Sequence, residues 1–356
     1  MPTLTLQQLS QTGSAIFTAC GVPADQADIV GRFLATANLV GHDSHGVIRI
    51  SEYVGFLDKG HVERVAQLEV VHDSGALLLM RGNYGFGQVI GSWAMERAIR
   101  TAREHGFAVM GLNQAAHLGR IGDWPTMAVA AGFVSIHFVN THGGGKIVAP
   151  FGGSDRRMSA NPFAAGIPVP GRTPVIVDIS TSSIAGGKIH VAYNKGSKIP
   201  EGCVIDRNGQ LTTDPGDFMN GLGALLHFGG HKGFSIGFLC DVLAGALTGA
   251  PCSDPRINRV ANAMLTILID PGLYRDRDDF YAEVIRYIDY LKGSPLRPGF
   301  GEILYPGEPE ERTQKHRTEH GIPIDDATWN EIVEVAQRAG AKLAEDLPRS
   351  ETGMMA

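Results

Sequence analysis

At 356 residues, with 43% hydrophobic and 19% charged side chains, the chain is long enough to bury a large core in two or three domains. A net charge of −6 supplies no basic surface for nucleic acid. Cys20, Cys203, Cys240 and Cys252 stand far apart without a CxxC pair, which argues against a zinc ribbon or a disulfide framework and suits a reducing compartment.

The opening stretch, MPTLTLQQLSQTGSAIF, lacks a basic segment and an unbroken apolar run, so no secretory signal is expected. Helical patterns follow in TLQQLSQTGSAIFTACG and PADQADIVGRFLATANLVG, the second started by Pro23 and Asp25. Then comes GHDSHGVIRISEY, residues 41–53, unusually rich in His, Asp, Ser and Arg. From Leu68 to Met80, β-type residues alternate with turn residues. GNYGFGQ leads into a helix, VIGSWAMERAIRTAREHG, with Ile90, Trp93, Ala94, Ala98 and Ala102 on one face and Gly106 as its C-cap.

Buried strands and short helices then alternate. FAVMGL (107–112) reads as a strand, DWPTMAVAAG (123–132) as a helix capped by Asp123, and FVSIHFVN (133–140) as a strand. PVIVDIS (174–180) and ANAMLTILID (261–270) are further strands, and KGFSIGFLCDVLAGALTG (232–249) is a buried helix. That helix is broken by Asp241 and glycines and is too short for a membrane span. Residues 276–293 form an amphipathic helix, and the tail from Ile324 holds one more. The alternation predicts an α/β protein, working in the cytoplasm without nucleic-acid or membrane partners. A doubly wound dinucleotide domain would carry GxGxxG, but GFGQVI and GLGALL both lack the third glycine. A nicotinamide, if it binds, therefore needs another fold.

If residues 43–53 form one helix, His45 and Arg49 share a face at i and i+4, and Tyr53 extends it. A guanidinium can grip a carboxylate through two parallel hydrogen bonds, and an imidazole can carry a proton beside it. This pairing suits a 2-oxo or 2-hydroxy acid. A rival reading gathers His42, Asp43 and His45 around a metal ion for hydrolysis. Other polar residues sit beyond strand ends, where α/β proteins keep their sites: Asn113, His117, Asn140, Thr141, His142, and Asp178 to Ser182.

These segments resemble, in order, the motifs of the non-Rossmann malate/L-lactate dehydrogenase family. GHDSHGVIRISEY is similar to its G-x-x-SHG-x-x-R-x-x-x-Y segment, and HLGRIGDWPTMAVAAG to its His-containing loop and helix. APFGGSDRRMSANPFAAGIP, VDISTSSIAGGK, HKGFSIGFLCDVLAGALTG and FGEILYPGEPEERTQKHRTEHGIPI match four further segments. The family also includes ureidoglycolate, sulfolactate and 2,3-diketogulonate enzymes and cyclic imino-acid reductases.

The resemblance implies a mixed-sheet cofactor domain (116–289) beside a helical part (1–115) completed by residues 290–356. It implies NAD or NADP as cofactor, a small carboxylate substrate and a homodimer. His45 would carry the proton with Asp178 as its partner, and His117 would be a second acid/base candidate. Ser44, Arg49 and Tyr53 would line the substrate pocket. Val177, Asp178, Ile179, Ser180, Thr181, Ser182, Lys232, Gly233, Pro306, Gly307 and Glu308 would hold the cofactor. The chain departs from the family at Ala160, where a Thr is expected, in glycine-rich GGGKIVAP with Lys146, and between Lys188 and Pro200.

Overall fold

The computed structural model describes residues 1–344 and Leu347, so the end of the predicted 290–356 segment lies outside the described residues. The N-terminal part holds β1 (Thr3–Leu4), α1 (Leu6–Ala19), α2 (Ala24–Leu39) and α3 (Arg49–Asp58). The hairpin β2 (Glu69–Asp73) and β3 (Leu77–Arg81) leads to α4 (Gly87–His105), β4 (Phe107–Ala115), α5 (Asp123–Ala130) and β5 (Val134–His142). After β6 (Phe163–Ile167) and β7 (Val175–Ile179) come α6 (Gly186–Asn194), β8 (Val204–Ile205), β9 (Leu211–Thr212), α7 (Pro215–Met219) and β10 (Ala224–Leu225). The chain ends through α8 (His231–Cys240), β11 (Ala261–Ile269), α9 (Arg277–Lys292), α10 (Glu308–His320), β12 (Ile322–Pro323) and α11 (Asp326–Ala339).

One mixed sheet organises the molecule in the order β2-β3-β4-β11-β5-β6-β7. Its one parallel pair is β3 with β4; the other neighbours run antiparallel. This is not the parallel, doubly wound sheet that a GxGxxG turn serves, as the missing glycines predict. The central strand β11 is buried almost throughout, so its run ANAMLTILI needs no polar face. The boundary expected at residues 115/116 falls at the carboxyl end of β4, inside this sheet.

The two chain ends are tied together, as the resemblance implies. β1 pairs antiparallel with β12, and α11 packs Trp329, Ile332, Val333 and Ala336 against α1 and α3. Gly106 closes α4 in the left-handed region, as predicted. Asp123 does not cap α5: Gly122 holds that position, and Asp123 instead binds Arg120. Residues 232–249 are not a uniformly buried helix. They widen into a π turn over Asp241–Gly245 and leave Phe238, Leu239 and Leu247 exposed. Helix α10 carries no buried residue and therefore no apolar period to read. Pro309 and three Glu in its first turn and Arg317 and His320 in its last complement the helix dipole.

Candidate active site

Residues 43–53 do not form one helix. Asp43–His45 is a short 3-10 turn, Gly46 is extended, and α3 begins only at Arg49. The cause is Asn38, buried at the end of α2. Its Oδ1 accepts from Val47 N at 2.7 Å, and its Nδ2 donates to Asp43 Oδ1 at 2.7 Å. These bonds replace helical ones. Gly46 passes so close that a Cβ there would stand 2.0 Å from Asn38 Oδ1. The expected i, i+4 pairing of His45 with Arg49 is therefore absent. Arg49 turns back, donating Nε to Ser44 O at 2.7 Å and Nη1 to Glu52 at 2.6 Å.

The break brings His45 to His117 instead. Their rings lie 5.7 Å apart and nearly parallel, and Ser44 Oγ is 3.1 Å from His45 Nδ1. Tyr53 is fully buried; its hydroxyl accepts from Gln88 at 3.0 Å and lies 2.7 Å from His117 Nδ1. With the hydroxyl as donor to Nδ1, His117 carries its own hydrogen on Nε2. Tyr53, expected to line the substrate pocket, is buried with its hydroxyl on His117, and burial raises its pKa. His117 is reached through a left-handed backbone turn at Gln114, and α4 passes it at Gly87. An added Cβ at Gly87 would meet His117 O at 2.2 Å.

Burial, then the nearby Arg49 charge, pushes His45 down to about 3 and His117 well below its ordinary value. His137, wholly buried in β5, is pushed to about 3 by burial alone. Such groups bind protons more readily when unfolded, so the stability they contribute is full above pH about 6.5 and is lost as pH falls towards 3. Each withdraws up to about 1.4 kcal/mol per pH unit. Asp123, raised to about 6 by burial, acts in the opposite sense as pH drops from about 6 to 4. With five depressed histidines, His142 and His227 included, against one raised carboxyl, the melting temperature should fall between pH 7 and pH 5; a flat profile by calorimetry would refute this.

A buried ionic group lies beside the histidines. Arg120, its side chain 4% exposed, donates Nη1 to Asp123 at 2.8 Å, while its Nε stands 4.0 Å from Asp178 Oδ2. Asp178 accepts from Gly122 N at 2.8 Å. Among the described residues, no hydrogen bond joins Asp178 to His45, so the expected carboxylate–imidazole contact is replaced by these two. Arg120 was not foreseen, although it sits three residues after His117 in HLGRIGDW.

Several polar strand ends serve the frame. Asn113 donates to Thr248 O, Asn140 holds Asp241, Pro251 and Ala263, and Asn262 reaches Thr141. His142 is buried. His42, Asp43 and His45 do not converge on a metal: His42 faces Glu310, Asp43 binds Arg317 and Asn38, and His45 stacks on His117.

The three segments named for a cofactor meet along β7. Ile179 and Ser180 are exposed at its carboxyl end, and Val177 and Asp178 are half-buried. Buried Thr181 accepts from Phe228 N at 3.1 Å and anchors the turn entering α8. There Gly233 lacks the Cβ that would stand 2.4 Å from Phe228 O, and Lys232 is exposed. Ser182 Oγ bonds Ser180 Oγ at 2.8 Å. Pro306 accepts from Ile176 N at 3.1 Å, which lays Pro306–Gly307–Glu308 against the edge of β7. Ala160, lacking the expected hydroxyl, still receives Thr181 through its carbonyl.

Comparison with known proteins agrees with this architecture. The sequence profile described as malate/L-lactate dehydrogenase matches residues 4–333. Hydroxycarboxylate dehydrogenase B of Escherichia coli K12 is 38% identical over 340 residues, covering 94% of this chain and 93% of that protein. The sulfolactate dehydrogenase structure from Methanocaldococcus jannaschii superposes with a TM-score of 0.88 at 32% identity, covering 97% of this chain and 99% of that one. The delta1-piperideine-2-carboxylate reductase structure from Pseudomonas syringae pvar. tomato superposes with a TM-score of 0.83 at 28% identity, covering 94% and 100%. The chain belongs to the malate/L-lactate dehydrogenase family and is an oxidoreductase.

Proposed function

We propose that the protein transfers a hydride between NAD or NADP and a small 2-hydroxy or 2-oxo acid, with His45 as proton carrier and Arg49 as carboxylate clamp. The stacked pair His45–His117 beside the Arg49 guanidinium is the observation that carries this reading. The residues along β7 fit a dinucleotide. An exposed edge from Ile179 to Ser180 leads towards the amino end of α8, where the exposed Lys232 ammonium suits a phosphate. Val177 to Ser182, Lys232, Gly233 and Pro306 to Glu308 would hold it. A nicotinamide held there would supply reversible hydride transfer at C2 of the acid.

The chain's own residues handle the proton and the charge. An imidazole kept neutral is ready to take the proton of a substrate hydroxyl. Protonation of His45 is opposed by burial and by Arg49. A substrate carboxylate on Arg49 offsets that second cause, so the substrate itself eases formation of the imidazolium. Asp178 is occupied by Gly122 and Arg120 and acts, on this reading, through the Arg120 group rather than on the ring. Ser44 keeps His45 Nδ1 engaged.

The same groups could protonate the nitrogen of a cyclic imino acid, and the likeness to the piperideine-carboxylate reductase favours that second reading. A panel of 2-oxo acids and cyclic imino acids, followed by oxidation of NADH and NADPH, separates them. Faster turnover of 2-oxo acids is expected; faster imine reduction would exchange the two readings, and no oxidation of either nucleotide would refute both.

We further propose that the protein works in the cytoplasm as a homodimer. Phe238, Leu239 and Leu247 form an exposed apolar face on the segment that follows Lys232, and a second copy would cover it. All four cysteines are unpaired, and no described helix is long and apolar enough to cross a membrane. Light scattering should give twice the chain mass; a fully active monomer would contradict the dimer.

A further inference from the structure

The turn that presents Ser44 and His45 is gripped from two sides. From α2, Asn38 holds Asp43 and Val47. From α10, Arg317 donates Nη1 to Asp43 Oδ1 at 2.6 Å and Nη2 to Asp43 Oδ2 at 3.1 Å, a parallel pair that only a guanidinium makes. The same Nη1 bonds the carbonyl of Asn38, in the last turn of α2. Nearer the start of α10, Glu310 Oε1 lies 3.4 Å from His42 Nε2, and Thr313 packs against Gly41. Residues 310, 313 and 317 are spaced to share one helix face. That face explains why a helix without a buried residue is ordered here: its partner is the polar turn, not the core.

The Asp43 carboxylate has three polar contacts, and two of them come from Arg317. Besides these, the turn is tied by Arg49 to Ser44 O and by its own backbone bonds, and the 3-10 turn has no side-chain cap, so the Arg317 fork is its one bidentate ion pair among the described residues. We infer that Arg317, acting through Asp43, is a positioning residue that sets where His45 and Ser44 stand in the reaction proposed above. It touches no reacting atom. Its effect rests on the sensitivity of proton transfer to placement, where a displacement of about 1 Å costs on the order of 10²-fold in rate. The inference rests on the proposed role of His45, and the experiment separates the two.

Arg317→Ala should lower kcat/KM for the hydroxy acid by on the order of 10²-fold, while affinity for the nucleotide alone is kept. Arg317→Lys should recover part of the loss, since one ammonium can reach Asp43 or the Asn38 carbonyl but not repeat the fork. Asp43→Ala combined with Arg317→Ala should be no worse than the more damaging single change. Arg312→Ala is the control: it removes an ion pair with Glu302 from the same helix without touching the turn. It should keep wild-type turnover. The side-chain nitrogen resonances of His45 should shift in Arg317→Ala and stay in Arg312→Ala. Equal kinetics for the two alanine variants per folded molecule, or unmoved His45 resonances in Arg317→Ala, would overturn the inference. If the wild type turns over no substrate, the proposed reaction fails, while the His45 resonances still decide whether Arg317 positions the ring.

Discussion

His45→Ala should lower kcat by about 10²–10⁴-fold, the usual cost of losing a positioned proton carrier, and leave nucleotide affinity unchanged. The ring is placed for this task by the break at Gly46, which swings it onto His117. His117 competes for the role. Its Nδ1 is engaged by the Tyr53 hydroxyl; with that hydroxyl as donor, Nε2–H is left to donate to a substrate oxygen. His117→Ala should therefore also cost activity, through lost polarisation of that oxygen. Steady-state kinetics with purified variants decides between them. If His117→Ala abolishes turnover and His45→Ala retains most of it, the proton carrier is His117.

Arg49→Ala acts on a different constant. A charge-assisted hydrogen bond to a carboxylate contributes about 1.5–3 kcal/mol, so KM should rise roughly 10- to 150-fold. Its guanidinium is already oriented by Ser44 O and Glu52, so little ordering cost remains when the substrate arrives. Arg49→Lys keeps the charge but loses the fork and should fall between wild type and alanine. Removing Arg49 also lifts one cause of the depressed His45 and His117 values. The acidic limb of the kcat/KM profile should move to higher pH in Arg49→Ala. An unchanged KM would show that another group binds the carboxylate.

Elements with a period were legible from sequence, and elements held by polar contacts were not. The runs FAVMGL and ANAMLTILID gave strands because burial on both faces favours continuous apolar residues, while FVSIHFVN forms a strand of mostly alternating burial with Ser135 and His137 inside. The missing third glycine in GFGQVI spoke against a Rossmann turn, and the antiparallel pairs around β5, β6 and β7 agree. The helix assumed over residues 43–53 failed because Asn38, five residues upstream, offers the backbone a better set of partners. Spacing within the motif could not reveal that. Helix α10 was missed for the complementary reason: its partners are Asp43 and His42, some 270 residues away in sequence. His45, His117 and Arg49 were singled out from their chemistry and motif positions, and the structure brings His45 onto His117 and Arg49 onto Ser44 O. Arg120 and Gln88 were missed, since each draws its meaning from burial beside a partner.

The central claim is direct hydride transfer between a 2-hydroxy acid and a nicotinamide. Its most direct test is incubation of the full-length protein with a 2-hydroxy acid deuterated at C2 and oxidised NAD or NADP, followed by mass measurement of the nucleotide. The account predicts that the deuterium appears in the reduced nicotinamide, and that His45→Ala slows its arrival. Reduced nucleotide without the label, or label released to water, would contradict it.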